Sequence, residues 1–440
     1  MAGAKADDPW ERLRALPMGQ RVELAEPNGH TWTGTVVPRH ELSGERILPI
    51  KLDSGYNVGV RIDLGTRYRL LDPASGRSSA GSPPVGPGAH ARATEGPRVV
   101  LLTTGGTIAS RVDYETGGVR PVRDEREILS FYPDLSEGGP VRIVPVFDRL
   151  SEDIAPGDWL VLADTVAATF RDGATGVVIA HGTDTLGFTA AALSFLLTDL
   201  PGPVVLVGAQ RSPDRPSSDG PSNLAAAVRV AREGRFGEVV VVMHAGLSDD
   251  RFAIHRGTSV RKMHASRRDA FESRNVAPIG QVDGGGIRWD STPRPPDAGP
   301  ARVDGPIDER GGLLWFYPGL GPDRAAAYAS NLRGLVLAGT GLGHVANVHL
   351  PWIREATRRG VVVAMTTQCL AGNVDPYVYA TGRELQRAGV LYLGDLLPET
   401  AYAKLLWALG HGPDAEAVRA LLLADVAGEF AWRHLVEGER

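Results

Sequence analysis

Two periods of apolar residues divide the chain. Up to Asp72, the short runs RVELAE, HTWTGTVV, ILPIKL and YNVGVRI are separated by the turn sequences Asn28-Gly29 and Asp53-Ser54-Gly55. Such runs predict short strands, and their number predicts a small N-terminal β-barrel domain over residues 1–72. Residues 73–97 hold almost no large apolar side chain and cannot bury a core, which makes them a Pro/Gly/Ser-rich linker. As a flexible coil of about 25 residues it spans on the order of 25–30 Å. After Pro97 the pattern becomes near-continuous β-branched runs: RVVLLT (98–103), GVVIA (176–180), PVVLVG (203–208), EVVVVM (238–243), GLVLAG (334–339) and GVVVAM (360–365). Runs of this kind suit strands covered on both faces. Between them Leu186, Thr189, Ala190, Leu193, Leu196 and Leu197, and later Leu224, Ala227 and Val228, recur at helical spacing. The alternation predicts an α/β fold of doubly wound parallel sheets. The Pro-rich stretch 291–306 predicts a boundary between a larger α/β domain, 98–305, and a smaller one, 306–440.

Composition narrows the function classes. At 440 residues with 42% hydrophobic content the chain is long enough for two or three domains with a sizeable core. A net charge of -5 spread over 22% charged residues implies neither a DNA-coating basic surface nor an acidic disordered tail. One cysteine, Cys369, excludes a disulfide framework and multi-cysteine metal sites; it fits a reducing compartment and is expected to be structural. The start of the chain has no apolar segment of secretory length, and no uncharged run approaches the roughly 20 residues that span a bilayer, which predicts a cytoplasmic protein. The 47 basic residues include only four lysines, Lys5, Lys51, Lys262 and Lys404, leaving 43 arginines. Against so strong a preference, a lysine in a chemically interesting place needs a reason.

Candidate chemistry collects where strands end, the usual place for small-molecule sites in such sheets. Thr103-Thr104-Gly105-Gly106-Thr107 follows the first α/β strand and lacks the spacing of either familiar phosphate loop. Its glycines allow a tight turn with exposed N–H groups, and Thr107 presents a hydroxyl there. GVVIA runs into His181-Gly182-Thr183-Asp184-Thr185, a second hydroxyl-rich turn before a helix. Each turn alone also fits ordinary helix capping. His181 is expected to be structural, since its neighbours lack metal-ligand spacing. A threonine nucleophile needs a base, and lysine can serve. Lys262 lies among Arg256, Arg261, Arg267, Arg268 and Arg274. That segment fits either a solvated basic loop, a face for an acidic partner, or a proton-transfer role that arginine cannot fill.

TGGTIAS, HGTDT, PVVLVGAQR followed by SSDGPSNL, and GTSVRK running to DAF are similar, in that order, to the motifs of the L-asparaginase/glutaminase family. The resemblance covers Arg98 to the C-terminus. TGGTIASRVDYETGGV, IHRGTSVRKMHASRRDAF, GTGLGHV, TTQCLAGNVDPYVYATGREL and LLPETAYAKLLWALGH resemble, within it, the D subunit of the archaeal-type glutamyl-tRNA(Gln) amidotransferase, and KLDSGYNVGV extends that likeness into the front domain.

The resemblance implies an asparaginase-like fold and an amidohydrolase with Thr107 as nucleophile, Thr183, Asp184 and Lys262 as the second catalytic set, and Tyr114 as a lid residue assisting Thr107. It implies substrate contacts from Ser151 and Glu152, with Glu152 standing where free-standing enzymes commonly carry Gln, and backbone contacts from Gly106, Gly182 and Ala209. No cofactor and no metal are implied. The implied partners are L-Gln or L-Asn as small-molecule substrate, further copies of the chain as a dimer or higher oligomer, and a tRNA-binding amidotransferase partner subunit; DNA and membrane are not among them. The alternatives are a free-standing L-asparaginase that kept the front domain, and a non-catalytic amino-acid-binding protein on the same fold.

Overall fold

The structure, a computed structural model, describes residues 8–17, 19–36, 46–52, 57–71, 98–105, 110–112, 119–121, 139–211 and 218–431. The expected linker at 73–97 lies outside them, as do Gly106, Thr107 and Tyr114. The chain forms two compact units.

The first unit is built on a short helix, α1 (Pro9–Leu13), and five strands, β1 (Arg21–Ala25), β2 (Thr31–Val36), β3 (Ile47–Leu52), β4 (Asn57–Arg61) and β5 (Arg67–Leu71). All neighbours are antiparallel, in the order β4-β3-β2-β1-β5. Alternation puts Val22 and Leu24 of β1 on the face that packs against Trp10, Leu13, Ile50, Val60 and Ile62. The expected strands are present; among the described residues β4 and β5 do not pair, so the sheet is antiparallel without the closure that would make it a barrel. A hairpin pairing Ser110–Val112 with Val119–Pro121 also belongs to this unit.

The second unit is built on two main sheets. The larger combines β6 (Val99–Thr103), β7 (Val141–Pro145), β8 (Gly176–Ala180), β9 (Val204–Val207), β10 (Val239–His244), β11 (Arg251–Arg256), β12 (Gly280–Asp283) and β13 (Gly286–Trp289). Their order is β13-β12-β11-β10-β9-β8-β6-β7. The five strands from β10 to β7 are parallel, as the β-branched runs predict, but β11, β12 and β13 add antiparallel pairs. The sheet is therefore mixed and not purely parallel: β11 follows β10 through a loop too short for a helical crossover. Helices α2 (Pro156–Arg171), α3 (Leu186–Leu196) and α4 (Gly220–Glu233) cover it. Leu197, expected on the face of α3, instead leaves the helix and pairs with Val303.

The smaller sheet is all parallel, with β14 (Gly311–Trp315), β15 (Gly334–Gly339), β16 (Val362–Thr367) and β17 (Leu391–Tyr392) in sequence order. Its helices are α5 (Pro322–Ala329), α6 (Leu350–Arg358), α7 (Ala380–Arg387), α8 (Pro398–His411) and α9 (Ala415–Leu423). The two sheets meet through α3 and α8, where Phe195 stacks on Trp407 with centroids 6.0 Å apart. Among the described residues no helix is long and apolar enough to cross a membrane.

Candidate active site

Adjacent parallel strands deliver their carboxyl ends side by side, and the order β9-β8-β6-β7 brings four loops together. These are Gly208–Gln210 after β9, His181–Thr185 after β8, Thr104-Gly105 after β6, and the turn Ser151–Asp153 beyond β7. Thr104 is fully buried and donates through both its N–H and its hydroxyl to the carbonyl of Ala180, tying the first two turns. Gly105 has φ +93°, and a Cβ there would lie 2.6 Å from the carbonyl oxygen of Arg149. Only glycine fits. The Thr185 hydroxyl donates to the carbonyl of Ser151 at 2.6 Å, which fastens the β8 turn to the segment carrying Ser151 and Glu152. Ser151 is buried and Glu152 exposed.

Lys262 arrives from outside the large sheet. Val260–Lys262 pairs with Phe271–Ser273 in an antiparallel hairpin that sets Lys262 opposite Phe271. The Lys262 ammonium donates to the Thr183 hydroxyl at 2.8 Å and to the Asp184 carboxylate at 2.7 Å. The Lys262 side chain is 15% exposed, whereas that of Asp184 is 67% exposed, so the cation is sheltered while its counter-ion faces outward. Three of the expected catalytic residues thus meet at one point. Gly182 and Ala209 stand in the flanking turns, Ala209 buried. Gly106, Thr107 and Tyr114 are outside the described residues; the chain reaches Gly106 directly from the Thr104-Gly105 turn.

His181 is structural, as expected. Its Nδ1–H donates to the carbonyl of Gly182 at 2.7 Å, and its Nε2 accepts from the Thr189 hydroxyl at 2.9 Å, which in turn accepts from Trp159 Nε1. Burial lowers its pKa from 6.5 to about 4, so the ring is the neutral Nδ1–H tautomer.

The arginines around Lys262 are used internally. Arg256 pairs with Glu238, Arg261 with Glu399, Arg267 with Asp269, Arg268 with Asp249 and Arg274 with Glu272. Each of the five is thus paired within the chain. Cys369, expected to be structural, is exposed just past β16.

Two features escaped the sequence pattern. One is a buried lysine: Lys404, fully buried in α8, donates to the carbonyls of Leu422 and Ala424 and pairs with buried Glu429. The scarcity of lysine was the available signal. The other is a buried polar chain running from Gly208 through Asn223 to His244; its residues stand in the SSDGPSNL motif and at the end of a valine strand. Nothing in their spacing announced a connection.

Comparison with known proteins agrees with this architecture. The family models described as "Asparaginase, N-terminal", "Glutaminase/Asparaginase C-terminal domain" and "GatD N-terminal domain" match residues 98–295, 312–422 and 16–71. The D subunit of a glutamyl-tRNA(Gln) amidotransferase from Saccharolobus islandicus is 44% identical over 99% of this chain and 97% of its own length. Its counterpart from Saccharolobus solfataricus is 43% identical over 92% and 90%. Among solved structures, the thermostable L-asparaginase from Thermococcus kodakarensis superimposes with a TM-score of 0.69 at 34% identity, covering 76% of this chain and 99% of that one. With likeness extending over the front unit and both α/β sheets alike, the chain belongs to the family of glutamyl-tRNA(Gln) amidotransferase D subunits, on an asparaginase fold.

Proposed function

We propose that this chain releases ammonia from the side-chain amide of L-Gln or L-Asn, with Thr107 as nucleophile and Thr183, Asp184 and Lys262 handling the proton. The observation that carries this reading is the Lys262 ammonium held at once by the Thr183 hydroxyl and the Asp184 carboxylate, at the carboxyl ends of β8 and its neighbours. A lysine in that position, in a chain that otherwise prefers arginine, suits a group that must gain and lose a proton.

The Thr107 oxygen attacks the carboxamide carbon while its proton passes by way of the Thr183 hydroxyl to Lys262, which takes it up as the neutral amine and hands it on to the departing nitrogen. Backbone N–H groups around Gly106 and the Thr183 hydroxyl meet the oxyanion that forms. The C–N bond breaks as the nitrogen takes up a proton, and ammonia leaves. Water then cleaves the threonyl ester and returns a proton to Thr107, so that amide plus water has become carboxylate plus ammonia. Asp184 orients Lys262 and balances its charge. Ser151 and Glu152 hold the α-amino and carboxylate groups, the carboxylate of Glu152 matching an ammonium, and Ala209 orients the carboxamide through its backbone.

The match over 99% of the chain to amidotransferase relatives favours a glutaminase subunit, cytoplasmic and oligomeric, whose ammonia passes to a tRNA-binding partner that amidates Glu on tRNA. The net charge of -5 fits tRNA contacts carried mainly by that partner. Ammonia release is measured from L-Asn and L-Gln with the chain alone and with partner subunit and tRNA added. The expected result is slow release alone, strong stimulation in the complex, and loss of release in Thr107→Ala under both conditions. Rapid, unstimulated hydrolysis of L-Asn would support the free-standing asparaginase instead, and binding without turnover the non-catalytic alternative.

A further inference from the structure

Behind the Gly208–Gln210 turn lies a chain of buried polar groups that the proposed chemistry does not use. Asn223 and His244 are fully buried. Asn223 Nδ2 donates to the carbonyl of Gly208 at 3.1 Å and to Asp219 Oδ2 at 3.1 Å. Asp219 Oδ2 also accepts from the N–H of Gln210 at 2.9 Å. The turn is thus held from both sides: a donor on the carbonyl before Ala209 and an acceptor on the amide after it. Ala209 is the residue between the two clamps. Gly208 also backs onto the catalytic set, since a Cβ there would come within 2.7 Å of Thr183 Cγ2.

Donor and acceptor roles fix the rest of the chain. Both Nδ2 hydrogens of Asn223 are committed, so its Oδ1 is the acceptor facing His244 Nδ1 at 2.6 Å. His244 Nε2 lies 2.9 Å from Asp249 Oδ1, a carboxylate oxygen and again an acceptor. Asp249 accepts as well from the Ser222 hydroxyl and from Arg268, so the outer end is anchored by several donors while its side chain is 55% exposed. The line Asp249–His244–Asn223–Gly208 has a rigid outer anchor, a fully desolvated middle and an inner end on the backbone at the reaction site. Buried polar networks in which every member is satisfied hold a single geometry.

We propose that Asn223, backed by His244 and Asp249, is a positioning residue that sets the Gly208–Ala209–Gln210 backbone against the scissile carboxamide. The inference rests on the proposed amide hydrolysis, because the turn matters only where a carboxamide is presented to it. It acts on the leaving amide and not on the α-amino and carboxylate groups, which are held by Ser151 and Glu152 from a different loop. The product acid lacks the carboxamide nitrogen and should be indifferent to the network.

The test uses the full-length chain, in complex with its partner subunit where the parent requires it. The parent first establishes ammonia release and an inhibition constant for the product, L-Glu or L-Asp; absence of release there overturns the proposed function and is read separately. Asn223→Asp then keeps the volume and the acceptor toward His244 but replaces the donor to Gly208 with a repelling oxygen. The expected result is a fall in kcat/KM of about a hundredfold with the product inhibition constant unchanged within twofold. Because Asn223 is fully buried, Asp249→Ala serves as the second variant: it removes only the exposed outer anchor and should lower kcat/KM by about three- to tenfold, again without moving product inhibition. Wild-type kcat/KM in both folded variants overturns the assignment, as does a rise in the product inhibition constant parallel to the loss of turnover, since a merely structural network would affect both ligands alike.

Discussion

Lysine and arginine part company in this chain at the two lysines whose surroundings are described. Lys262 delivers a compact ammonium to two oxygens of neighbouring residues. A guanidinium is planar and holds its proton throughout the working pH range. Lys262→Arg should therefore lower ammonia release by about a hundred- to ten-thousand-fold while the melting temperature stays within a few degrees; retained turnover would remove Lys262 from the proton path. Gly105 makes a stricter demand, on shape alone. Gly105→Ala forces a Cβ into the Arg149 backbone at positive φ. The expected cost is about 2 kcal/mol or more in urea unfolding, with turnover falling as well because the chain passes from this turn directly to Gly106 and Thr107. The meeting of Thr183, Asp184 and Lys262 was legible because they stand in compact motifs. Asn223 and His244 were not, because a satisfied network joins residues 21 positions apart through donors and acceptors that leave no periodic trace.

At the scale of elements, burial decided what could be read. β8 and β10 are buried at every position and appear in the sequence as unbroken valine-rich runs. β7 lies at the sheet edge with alternating burial, and its sequence VRIVP carries a charge and a proline. β11, RFAIHR, sits inside the sheet yet begins and ends on arginine, so the apolar pattern passed over it. The hairpin carrying Lys262 is shorter still, and its strands are recognisable only through their pairing. Lys404 shows an element depending on one charge. Burial lowers the pKa of its ammonium, while burial pushes the Glu429 carboxyl up and the ammonium, with the N–H groups of Ala427 and Val426, pulls it back below its ordinary value. Lys404→Met leaves that carboxylate buried without its cation. A loss of about 3–5 kcal/mol in chemical unfolding is expected, with the residues after α9 released first in hydrogen exchange. A loss below about 1 kcal/mol would mean that Glu429 relaxes to solvent.

For the whole molecule, pH dependence follows from histidines that fold uncharged. Burial lowers the pKa of His181 and of His255 from 6.5 to about 4. Above about pH 6.5 both are neutral whether folded or not, and they contribute no slope. Between about 6.5 and 4 the unfolded chain binds protons that the folded chain does not, so stability falls as the pH falls, by up to about 3 kcal/mol for each histidine. Urea midpoints across that range should decline in the parent and less steeply in His255→Gln. A flat profile would mean that neither ring stays neutral in the fold.

The hairpin that bears Lys262 is secured from the far end of the chain. Thr400 donates to the carbonyl of Thr258, Arg261 pairs with Glu399, Arg274 donates to the carbonyl of Leu370, and Asn275 donates to the carbonyl of Asp395. Lys262 itself meets Thr183 across 79 positions, and Thr400 reaches Thr258 across 142. Contacts so distant in sequence form late, after the loops between them have closed. On a ribosome Lys262 would lack those contacts until residues beyond 400 had emerged, so a nascent chain stalled before that point is expected to release no ammonia.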